Sequence, residues 1–188
     1  MALQGVLMMI ALVFPDCRKL FMFQLLKIFF GVDEATDTRP PSDVDMREAM
    51  LGLDIDMAKS AHENWKLRLE AYLAGRSQEA FSPETICFDD RCDLGRWIHG
   101  PGKTKLGRFP GFTALTSHHK MFHYAASNVV ALYQAGRMEE AQRMLEHQLA
   151  EFSKNVTQDL DSLQQVASYA IQRRQAQAQA QAQQAHYF

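Results

Sequence analysis

The stretch Asp89-Asp90-Arg91-Cys92-Asp93-Leu94-Gly95-Arg96-Trp97-Ile98-His99-Gly100-Pro101-Gly102, followed after a loop by Phe112-Thr113-Ala114-Leu115-Thr116-Ser117-His118-His119-Lys120-Met121-Phe122-His123-Tyr124-Ala125, organises the chain. In the second block Leu115, His119, Phe122, His123, Ala126, Val129, Val130 and Tyr133 recur every three or four residues. That period predicts a helix opened by Phe109-Pro110-Gly111-Phe112, running to about Ala135 and closed by Gly136. His119 and His123 are four residues apart, so their imidazoles share one face of it. Two imidazoles inside an apolar stripe are a stronger metal signal than either alone. Cys92 falls in the first turn of a shorter predicted helix with Asp89 or Asp90 as N-cap, where free N–H groups and the helix dipole favour a thiolate. Upstream, His62 lies three residues before Trp65 on another amphipathic helix, at the edge of its apolar stripe. One thiolate and three imidazoles drawn from three helices suit tetrahedral zinc.

These blocks resemble a known family. The pattern H-x-x-W-K is carried by His62, Trp65 and Lys66; C-x-L-G-x-W-x-x-G-x-G by Cys92, Leu94, Gly95, Trp97, Gly100 and Gly102; and F-x-x-L-x-x-x-H-x-x-x-H by Phe112, Leu115, His119 and His123. In this order they are similar to the chemoreceptor zinc-binding (CZB) domain, over roughly Asp45 to Val166. The resemblance implies a four-helix bacterial module that holds zinc through His62, Cys92, His119 and His123. In relatives the module is fused to chemoreceptors or diguanylate cyclases and responds to zinc, or to oxidants such as hypochlorous acid that attack the zinc thiolate. It also implies a homodimer. Because the sequence shows neither the long signalling coiled coil of a chemoreceptor nor a cyclase domain, a stand-alone sensor that signals to a protein partner in trans is expected.

The rest of the chain agrees with a helical module. Six prolines and ten glycines gather in a few places, leaving long segments of helical period. The fold expected is all-α, an antiparallel four-helix bundle with a short Cys-bearing helix in the connection between the first and third helices. A helix is expected from about Asp45 to Ala74, stopped by Gly75, with Met50, Leu53, Met57, Ala61, Trp65, Leu69, Tyr72 and Leu73 inward. The last helix starts near Met138, with Ala141, Leu145, Leu149, Phe152, Val156, Leu160, Leu163, Val166 and Ala170 as its stripe. The domain layout expected is an apolar segment at 1–30, a polar linker at 31–44, the bundle at 45–171 and a Gln/Ala-rich tail at 172–188, read as frayed helix or disorder.

Composition excludes several function classes. A formal charge of −2 gives no basic footprint for nucleic acid. Three unevenly placed cysteines do not make a secreted disulfide framework, and a zinc thiolate needs a reducing compartment, so the cytoplasm is expected. The apolar run Gly5 to Phe14 is too short to span a bilayer and lacks a signal-peptide layout. Phe21 to Phe30 suits a membrane interface or a partner helix; the alternative is a chain that starts at Met22. Cys87, between Ile86 and Phe88, reads as packing, or as a resolving thiol if Cys92 is oxidised to a sulfenic acid. His118 and His99 remain open as surface groups or groups near the site, and Cys17, His147 and His186 have no assigned role. No nucleophile elbow, phosphate loop or paired catalytic carboxylate appears, so a non-enzyme is expected. The alternatives are a zinc enzyme with one open coordination position and a bundle with purely structural zinc.

Overall fold

The computed structural model of the chain describes residues 41–185. The apolar segment 1–30 and most of the linker 31–44 therefore lie outside the described residues, as do Cys17 and His186. Every regular element among the described residues is helical.

Ser42 starts the first helix, α1 (Asp43–Met50), by accepting the Asp45 N–H at 3.1 Å. The single helix expected from Asp45 to Ala74 is in fact two. Gly52 takes a φ of +82°, a conformation that a Cβ would strain, and Asp54 then caps α2 (Ile55–Leu73) by accepting the Met57 N–H at 2.9 Å. The break resets the phase of the apolar stripe. α2 buries Ile55, Ala58, His62, Leu69 and Leu73, while Met57 and Ala61, expected inside, are exposed. His62 is thus a core position rather than an edge position.

The connection from α2 to the next long helix carries short elements: α3 (Pro83–Ile86), α4 (Asp93–Trp97), a wide turn at Ile98–Gly102 kinked at Gly100, and α5 (Lys103–Leu106). Pro110 sits at the first position of α6 (Pro110–Gln134), where its missing N–H costs nothing. α6 buries Leu115, His119, Phe122, His123, Ala126, Val129 and Val130, as the spacing predicts. A short turn through Gly136 leads to α7 (Met138–Arg143), a π-turn at Met144–Leu149 and α8 (Ala150–Ala185). Ala141, Leu145, Leu149 and Ser153 are all buried and each four residues from the last. Such steps outrun a period of 3.6, and the under-wound π-turn keeps them facing inward.

α8 packs against α6, α2 and α1, and α6 also meets α3 and α7. The core joins Leu69, Phe109, Leu115, Phe122, Leu145, Leu149, Leu160 and Leu163, all almost wholly buried. Trp97 donates its indole N–H to the Ala49 carbonyl at 2.6 Å, tying α4 to α1. Lys105 on α5 pairs with Glu48 at 2.6 Å and Asp45 at 3.3 Å, and Arg173 on α8 pairs with Asp43 at 2.6 Å. The Gln/Ala-rich run is regular helix through Ala185, exposed along its length to Gln184.

Candidate metal centre

Two elements place donor atoms at one point of the core. Cys92 precedes α4, and His119 and His123 sit one turn apart on α6. Cys92 Sγ lies 3.2 Å from His119 Nε2 and 3.6 Å from His123 Nε2, and one donor atom from each residue falls within 4.8 Å of the others. Zn–S and Zn–N bonds of ordinary length at a tetrahedral angle would separate sulfur from nitrogen by about 3.5 Å, so these spacings fit a zinc ion. Both histidines are buried and Cys92 is half-buried.

The backbone sets the orientation of these groups. His123 Nδ1–H donates to the Ile86 carbonyl at the end of α3, at 2.8 Å, which leaves the Nε2 lone pair facing Cys92. His62 Nδ1–H likewise donates to the Ala58 carbonyl at 2.8 Å. Its Nε2 is buried with no partner among the described residues, as is His119 Nδ1. An orphaned buried polar atom costs roughly 1–3 kcal/mol; His119 already turns its Nε2 to Cys92, so its Nδ1 is not a ligand atom for this cluster, and His62 Nε2 is the orphan free to take a metal. The His62 ring is 5.5 Å from that of His119 and 4.7 Å from that of Phe122. The geometry thus brings Cys92, His119 and His123 together and sets His62 beside His119, outside that group of three.

Residues 62–130, a span that includes all four of these residues, match the model of the chemoreceptor zinc-binding domain family. This stretch is similar to a CZB domain. A CZB domain is a zinc-binding signalling module, and the Cys92, His119 and His123 cluster is compatible with that metal. No curated protein and no solved structure matches the chain.

Within this CZB-like stretch Cys92 does not sit in the first turn behind an aspartate cap. It is itself the cap of α4, its sulfur accepting the Gly95 N–H at 3.2 Å. Nor does the helix start make it a ready thiolate. Burial pushes the Cys92 thiol up, outweighing the Gly95 N–H that favours the anion. Burial also pushes all three imidazoles down, that of His119 to about 2, where the His123 and His62 rings add to the effect. They are neutral, the form in which a histidine ligates.

The ambiguous residues settle elsewhere. His99 Nε2 pairs with Asp89 at 2.9 Å, and His118 Nδ1 pairs with Asp159 on α8 at 2.7 Å, so neither joins the cluster. His147 is exposed on the π-turn. The Cys87 thiol donates to the Glu84 carbonyl at 3.3 Å and lies outside the cluster. The Ile86 and Ala58 carbonyls that orient two histidines carry no side-chain signature and were not foreseeable. Gly95 was visible in the motif, though its role was not. A Cβ there would lie 1.8 Å from the Asp89 carbonyl oxygen, so glycine alone lets the chain before Cys92 fold down onto α4.

Proposed function

We propose that the chain is a zinc-dependent sensory module in which His62, Cys92, His119 and His123 hold the metal and Cys92 is the responsive group. The observation that carries this reading is the Cys92 sulfur 3.2 and 3.6 Å from two buried, neutral histidine nitrogens. Zinc, when bound, supplies the positive charge that keeps the Cys92 sulfur a thiolate in a buried place. With four protein ligands no position is open for an activated water, so the site is regulatory rather than hydrolytic and the chain is not an enzyme.

Two signals act on the same group. Zinc depletion removes what joins α4 to α6. An oxidant such as hypochlorous acid converts the Cys92 thiolate to a sulfenic acid, the sulfur taking the hydroxyl as chloride leaves. Cys87 is the proposed resolving thiol: its sulfur attacks the sulfenic sulfur, a disulfide forms and water leaves. Either signal frees the Cys92–Trp97 segment, and the changed surface is read by a signalling protein in trans, in chemotaxis or cyclic-di-GMP control. The proposed setting is a cytoplasmic homodimer with no role in nucleic-acid binding. No helix among the described residues is long and apolar enough to cross a membrane. The long helices are proposed to form an antiparallel four-helix bundle, which the short turn between α6 and α7 favours.

Zinc content on protein purified under reducing conditions without added metal tests the reading. About one zinc per wild-type chain and far less in Cys92→Ala is expected for a tetrahedral Cys/His site; a wild type free of zinc would overturn it. One observation favours a second reading, a three-ligand site with an open position: His62 stands outside the cluster of three. His62→Ala separates the two. Loss of at least about tenfold in zinc affinity supports four ligands, whereas unchanged affinity supports the open site.

A further inference from the structure

A cleft of about 560 Å³ opens beside the metal cluster, and Cys92, His62 and His123 are part of its wall. A water molecule's share of liquid volume is about 30 Å³. Hydrogen peroxide and hypochlorous acid are only a little larger, so a passage for either needs a small fraction of this space. The size is that of a pocket for a small organic molecule. Leu51, Met57 and Trp65 line it as well. Leu51 and Met57 are 66% and 61% exposed, and Trp65 is half-buried. A carbon skeleton seated here would remove from water apolar surface that the chain itself leaves wet. The charged residues of the lining are Arg91, Arg96, Asp54 and Asp93, two of each sign. That balance suits a neutral ligand rather than a carboxylate or a phosphate.

We propose that the cleft takes an apolar organic hydroperoxide and presents it to Cys92. The proposal rests on the reading of Cys92 as a zinc-held thiolate and names the class of oxidant that this site selects. The thiolate sulfur attacks the terminal, hydroxyl-bearing oxygen of the hydroperoxide. A sulfur–oxygen bond forms as the oxygen–oxygen bond breaks, so the sulfur loses two electrons and the peroxide gains them. Cys92 becomes a sulfenic acid, and the alkoxide leaves and takes a proton from water to become an alcohol. Arg96 is engaged by Asp93 and by the Arg91 carbonyl, whereas the Arg91 guanidinium lies over the Phe88 ring at 3.9 Å and supplies a positive charge at the lining for the departing alkoxide.

Other apolar electrophiles fit the product less well. An enal or a quinone would leave a carbon–sulfur bond on Cys92, whereas a sulfenic acid condenses with a second thiol and is reversible, as a sensor requires. Selection comes from the apolar walls rather than from the sulfur, because a free thiolate has no pocket with which to tell one peroxide from another.

The experiment measures, by mass spectrometry of the Cys92 peptide, how fast the full chain is oxidised by cumene hydroperoxide and by hydrogen peroxide at the same pH, with zinc content determined on the same samples. The ratio of the two rates is expected to exceed the ratio for free cysteine by about tenfold, which about 1.4 kcal/mol of binding supplies. One cumyl alcohol is expected per Cys92 oxidised. Met57→Glu, at an exposed position of the lining, is expected to bring the ratio back to that of free cysteine. Leu67→Glu, equally exposed on α2 but outside the cleft, is expected to keep the wild-type ratio. A zinc-bearing wild type with the ratio of free cysteine, or an equal fall in both variants, would overturn this inference alone. A wild type free of zinc would overturn it together with the proposed function.

Discussion

At the residue scale the site is set by burial more than by charge. His62, His119 and His123 are held neutral by desolvation, each below the ordinary 6.5. A histidine whose folded pKa is depressed contributes stability that is whole above 6.5 and is lost as pH falls through the folded value. Metal-free protein is therefore expected to weaken on acidification from pH 6.5 downward. The unfolded chain then holds up to three extra protons, a slope of at most about 4 kcal/mol per pH unit. Urea unfolding in the presence of a chelator, followed from pH 7.5 to 5, measures it; a flat profile would contradict the buried placement. The raised Cys92 thiol acts at the opposite end, its contribution being lost as pH climbs past the ordinary thiol value. Gly95→Ala is the second test at this scale. The added methyl meets the Asp89 carbonyl oxygen at 1.8 Å, and backbone yields only with difficulty. We expect a loss of about 1–3 kcal/mol of stability, with weaker zinc retention in a chelator competition. The histidine pair and Cys92 were legible because their spacing and residue types are unusual. The carbonyls of Ile86 and Ala58 were not, since any residue supplies a carbonyl.

At the scale of the elements, the long helices α6 and α7–α8 followed from their apolar period, and the helix expected from Asp45 did not. Its apolar residues continue across Leu51 and Leu53, which hid the break at Gly52. Only the phase of the buried residues on either side reveals it, and that depends on tertiary packing. The break matters because it makes α1 a separate piece, fastened to the Cys92 side of the domain by Trp97 and Lys105. Trp97→Phe removes the indole donor and strands the carbonyl of Ala49, a residue with no exposed surface. The expected cost is roughly 1–3 kcal/mol. Amide hydrogen exchange is expected to quicken in Asp43–Met50 while the core turns of α6 stay protected. Uniform quickening in both would mean that α1 is no separate unit.

At the scale of the whole molecule, the buried core ends well before the last helix does. Among the described residues Val166 and Ala167 are the final buried apolar ones, and Arg173 still pairs with Asp43 on α1. Beyond it α8 continues from Gln175 to Ala185, eleven residues of helix, as an extension exposed through Gln184. Alanine and glutamine favour helix, but a solvated run of this length is marginal unless it propagates from a helix already formed. A chain ending at Arg174 is therefore expected to lose helix signal in circular dichroism in proportion to those residues, with Tm unchanged within about 2 °C, since no core contact among the described residues is removed. If the extension instead lies against a second copy in solution, truncation would lower Tm, and the fall would grow with protein concentration in the intact chain but not in the shortened one. Measuring Tm of both chains across a hundredfold range of concentration thus tests the solvated reading of the tail and, in the same experiment, whether the proposed homodimer is built on it.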